Sequence, residues 1–247
     1  MIYKEVYLAK GGGALPDYAS LQILDTQDRE TARDRLIYAV TAYMDAQGYI
    51  NCQRESAERT VAFAPTEKGW AVFDDCADRL DVTALNGLGR CLSGKLRDRV
   101  VGVMCSGNEL MLCLYGEGMV KDTYITSRRF PGQLPLSIWA RSHGHALRWR
   151  ALLAEGHTIK ELADIFTQGQ LAGREIYAQL RLALALDESA GYGFASLEDA
   201  GLPGVVILHF RASNVVRQSL WDKLMHPARR AATSAGALLG RQTVRRE

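Results

Sequence analysis

Apolar positions change their period several times along the chain, and each change marks an element. Ile2 to Leu8 mixes β-branched and aromatic residues ahead of Gly11-Gly12-Gly13 and reads as a first strand, followed by a loop through Pro16. Leu36, Ile37, Val40, Tyr43 and Met44 then recur at helical spacing, with Gly48 at the stop position. Thr60-Val61-Ala62-Phe63 and Trp70-Ala71-Val72-Phe73 flank Pro65 and Lys68-Gly69, which predicts a hairpin. Val82, Leu85, Leu88, Leu92 and Leu96 form one helical stripe despite Gly87, Gly89 and Gly94, so packing has to hold that helix. Three short β-like runs follow, over 100–105, 109–115 and 119–126. The middle run is apolar on both faces and needs cover on both; the last alternates as an exposed strand does.

Beyond Pro131 and Pro135 the pattern turns helical over 137–153, 158–166 and 174–186, with Val205 to Phe210 as the late strand candidate. Strands first and helices afterwards predict an α+β fold. The expected architecture is an antiparallel or mixed sheet of five to six strands packed on helices, with a helical C-terminal portion. The expected division is an α+β sheet domain over 1–130 and a mainly helical portion with a basic tail over 131–247.

Composition narrows the class. A chain of 247 residues can bury a core without disulfide or metal staples, and its net charge of +2 excludes a histone-like polycation. Its five cysteines, Cys52, Cys76, Cys91, Cys105 and Cys113, form no C-x-x-C pair and suit a reducing compartment. No window reaches the roughly 20 apolar residues of a membrane span, and the N-terminal residues do not read as a signal peptide. The expectation is a cytoplasmic protein with no membrane partner.

Candidate chemistry is sparse. Asp74, Asp75 and Asp78 beside a strand end could hold a divalent cation and support a metal-dependent hydrolase; the plainer reading has these acids capping the helix that starts near Val82. Lys10-Gly11-Gly12-Gly13 lacks the order of a phosphate loop, and the histidines show no metal-ligand spacing. No nucleophile motif selects one residue, so neither a catalytic residue nor a cofactor is expected. Thr158 to Ala163 resembles the opening of the first helix in helix-turn-helix domains, which implies DNA binding through a following helix.

Charge distribution says more. No acid lies between Asp122 and Glu155, while Arg128, Arg129, Arg141, Arg148 and Arg150 do. On one continuous helix Arg141, His145 and Arg148 would share a side, with Trp139 and Trp149 nearby. The tail repeats the basic bias, and its apolar and small-residue stripes suit oligomerisation. The leading expectation is a non-catalytic binding protein, immunity- or adaptor-like. It would meet an acidic protein partner through Arg128, Arg129, Trp139, Arg141, His145, Arg148 and Trp149. Nucleic-acid binding by the helical portion and tail is the second reading, and the Asp-cluster hydrolase the third.

Overall fold

The computed structural model describes residues 17–24, 29–130, 136–168, 173–197 and 201–213. The strand expected over 2–8, the glycine run and the tail beyond Ser213 lie outside these residues.

The class is α+β, with one antiparallel sheet of eight strands in place of the five to six expected. In chain order the strands are β1 (Tyr18–Leu24), β2 (Tyr49–Asn51), β3 (Arg59–Pro65), β4 (Gly69–Asp74), β5 (Arg99–Ser106), β6 (Glu109–Gly116), β7 (Met119–Ile125) and β8 (Val206–Ala212). Across the sheet they run β2-β8-β3-β4-β1-β5-β6-β7. The strand count rises because β1, which the sequence pattern leaves as loop, lies in the middle and pairs with β4 and β5. Three-residue β2 is too short to show a period.

Helices α1 (Arg29–Ala46) and α2 (Val82–Leu96) cover one face. Leu36, Ala39, Val40 and Met44 of α1 and Leu85, Leu88 and Leu92 of α2 meet Leu21, Ile23, Val100 and Met104 there. The glycines of α2 have a packing reason: a Cβ on Gly89 would stand 2.6 Å from the Tyr115 ring. That phenol donates to Asn86 Oδ1 at 2.8 Å, fixing strand to helix.

The other face is covered by the C-terminal helices α5 (Ile159–Thr167) and α6 (Gly173–Ala183), where Leu162, Ile165, Ile176 and Leu180 pack on Val101, Val103, Leu112 and Leu114. Strand β6 is thus covered on both sides, as its uniform apolarity requires. Strand β8 returns from the helical portion into the sheet between β2 and β3.

The continuous helix expected over 137–153 is replaced by two short ones, α3 (Leu136–Trp139) and α4 (Ala146–Trp149), the second running into a 3-10 turn through Leu152. Between them the chain runs along β7: Ile125 N–H donates to Ser142 O (2.9 Å) and Gly144 N–H to Thr123 O (3.1 Å). An edge strand presents unpaired backbone groups, and this segment satisfies several of them. Gly144 takes φ +71°, and a Cβ there would lie 2.9 Å from the Phe166 ring.

Candidate functional site

Strand β7 carries Asp122 with its side chain 1% exposed. This carboxylate accepts from the Trp149 indole (2.6 Å) and the His145 backbone N–H (2.6 Å). The His145 ring stands 3.1 Å from its other oxygen, and Arg148 Nη1 lies 3.5 Å away while donating to Lys121 O at 2.6 Å. Asp122 therefore organises three of the residues expected to meet a partner. Trp149 is entirely buried and offers no surface; His145 and Arg148 stay more than half exposed but are held to Asp122. With the helix broken, Arg141, His145 and Arg148 no longer form one helical face.

Beside this hub lies an open cleft of about 500 Å³. Tyr124 and Thr126 form one wall, Trp139 and His143 another, and Phe166 and Gln168 close the far side. The Trp139 and His143 rings meet edge to face at 4.8 Å, and Tyr124 leans on Phe166 at 4.8 Å. Phe166 also touches Trp149, so the buried indole braces the cleft from behind. Arg141 stands in the chain between Trp139 and His143, and Arg128 and Arg129 follow Thr126. Arg129 and Arg141 are exposed, and among the described residues neither guanidinium has an ion-pair partner; Arg128 is half-buried.

Of the expected residues, then, Trp139 lines the cleft, while His145, Arg148 and Trp149 belong to the Asp122 hub; Arg128, Arg129 and Arg141 are near lining residues in the chain but do not themselves line the cleft. Sequence reasoning passed over Asp122, Tyr124, His143 and Phe166. A signal for Asp122 was there: it is the last acid before a long basic stretch.

The three acids near the end of β4 do not converge. Asp74 is buried, and Arg59 occupies both its oxygens at 3.1 and 2.5 Å, with Cys76 N–H as a further donor at 3.0 Å. The Arg59 guanidinium stands over the Tyr43 and Tyr49 rings at 5.7 and 6.0 Å. Burial works against its charge, but Asp74's hydrogen bond and charge outweigh that and hold it fully cationic. Asp75 accepts from Thr60 N–H at 3.1 Å. Ligand atoms of Asp74, Asp75 and Cys76 lie within 4.8 Å of one another, a grouping that leaves out Asp78. Burial, then the charges of Asp74 and Asp75, push the Cys76 thiol up to about 11, so it is protonated at neutral pH. Asp78 instead ties β1 to the late loop, accepting from Ala19 N–H (2.9 Å) and Ala195 N–H (3.0 Å). Nor do these acids cap α2: Asp81 does, accepting from Thr83 and Ala84 N–H.

Helix α5 opens with a capping box, Thr158 with Glu161. The helix after it, α6, turns Ile176, Tyr177, Leu180 and Ala183 onto the sheet. Glu175, Ala178 and Leu182 are exposed on it, and Arg181 is half-exposed. Among the described residues no helix is long and apolar enough to cross a membrane. Comparison with protein-family models, curated proteins and solved structures gave no match.

Proposed function

We propose that this is a non-catalytic, cytoplasmic binding protein, adaptor- or immunity-like, that holds an acidic segment of a partner protein at the β7 cleft. The observation that carries the reading is the ring-walled opening of about 500 Å³, with exposed Arg129 and Arg141 within three residues of its lining in the chain and without an ion-pair partner among the described residues. Carboxylates of the partner pair with Arg129 and Arg141, and charge-assisted bonds of this kind are the strong ones. An apolar side chain enters between Trp139 and Phe166 as the anchor that such interfaces centre on. His145, Arg148 and Trp149 act indirectly, by fixing through Asp122 the segment that carries His143.

The test is fluorescence anisotropy with a short Asp/Glu-rich peptide bearing one leucine, and with single-stranded oligothymidylate. The reading expects peptide binding that weakens about tenfold or more in Arg129→Glu/Arg141→Glu and in Trp139→Ala. Oligonucleotide binding with steep salt dependence and no peptide binding would replace it with the nucleic-acid reading.

A further inference from the structure

A second cleft, about 490 Å³, opens between the β3–β4 turn and the end of α6, away from β7. Glu67 and Lys68 stand on the turn side, Arg181 and Leu182 on the helix side, and Asp187 and Ser189 line it beyond the helix end. The chain leaves α6 through Ala185 in the left-handed region, φ +48°, a conformation disfavoured for a residue with a Cβ. Leu186 N–H then donates back to Arg181 O at 2.9 Å, and the reversal brings Asp187 to the cleft.

Three features make this more than a surface dent. Lys68 and Arg181 line it together with Glu67 and Asp187, and neither cation has an ion-pair partner among the described residues, so both can meet a ligand's anion. Asp187 is fixed in place: its Oδ1 accepts both the backbone N–H (2.9 Å) and the hydroxyl (2.6 Å) of buried Ser189, while its Oδ2 takes no donor among the described residues. Behind Ser189 the interior is polar where the neighbouring strands present Val101, Val103, Ala71 and Phe73 on that sheet face. Ser20 and Gln22 are buried there; the Gln22 amide donates to Ser189 Oγ at 3.4 Å, and its Oε1 has no partner among the described residues. The buried Tyr177 hydroxyl, on the helix above, has none either. Buried polar atoms without a hydrogen-bond partner are rare in folded proteins.

We infer that this cleft binds a small molecule with an anionic head and a hydrogen-bond donor. Lys68 and Arg181 would take the anion, and the free Asp187 oxygen the donor. Amino acids and phosphorylated polyols both have this chemistry. The inference stands apart from the β7 cleft, because the two share no lining residue.

The experiment is isothermal titration of the full chain with L-glutamate and with glycerol 3-phosphate, each up to about 10 mM. Binding of either probe is expected, weakened about tenfold or more in Lys68→Gln and in Arg181→Gln but not in the surface control Lys160→Gln. Lys68 is exposed, so its replacement leaves the fold intact even if Arg181→Gln loosens α6. The probe that binds identifies the source, and Asp187→Asn weakens an ammonium-bearing ligand most. No binding of either probe in this range would overturn the inference. So would binding that both charge-removing variants leave unchanged.

Discussion

At the residue scale, two buried carboxylates hold the local structure, each by a different arrangement of donors. Asp122 collects an indole, a backbone N–H, an imidazole and a guanidinium from a segment about 25 residues further on. Replacing it by alanine leaves the sunk Trp149 N–H without an acceptor, so Asp122→Ala is expected to cost about 3 kcal/mol in urea unfolding. Asp74 instead has Arg59 as its one charged donor, beside the Cys76 N–H. Arg59→Leu leaves that carboxylate buried and unpaired, and about 4 kcal/mol of destabilisation is expected from the same measurement. Asp78 gives a pH signature. Burial raises its pKa above the ordinary 3.8, with the Ala19 and Ala195 N–H groups opposing the shift. The folded chain thus holds this proton to higher pH than the unfolded chain does, and its contribution to stability falls as pH rises through the interval above 3.8. Urea titrations across the acid range are expected to show that decline in the wild type and to lose it in Asp78→Asn. An identical slope in both proteins would contradict this assignment.

At the element scale, legibility tracked how local the deciding interactions are. The stripes of α1 and α2 and the runs of β5, β6 and β7 stand out because a single periodic pattern decides each. Strand β1 did not, since Ser20 and Gln22 interrupt its apolar run and both are nonetheless buried. The break between α3 and α4 was hidden for another reason. Residues 137–153 have the composition of a helix, and what divides them is the edge of β7 together with Asp122, which lie outside the segment. Gly144 was the local clue, and Gly144→Ala is expected to push on Phe166 and distort the cleft as well as lower stability. A shift of the Trp fluorescence would report it, and unchanged spectra and stability would count against the packing described here. In α5 the capping box is fully local; Thr158→Ala is expected to cost about 1 kcal/mol in thermal or urea unfolding.

At the scale of the whole molecule, a sheet covered on both faces leaves open space at the margins of the helical layer. Both clefts lie there, one along edge strand β7 and one where α6 ends above the β3–β4 turn. The basic bias after Asp122 was readable in the sequence, but the sorting of its members was not. Spacing treated Trp139 and Trp149 alike, whereas the fold puts one on a cleft wall and buries the other as its brace. The most direct test of the β7 cleft is a charge swap. The acidic leucine peptide and its Lys/Arg-rich counterpart are titrated against wild type and Arg129→Glu/Arg141→Glu. Recognition at this cleft requires the wild type to take the acidic peptide and the double variant to prefer the basic one. An acidic peptide bound equally well by both proteins would contradict the account.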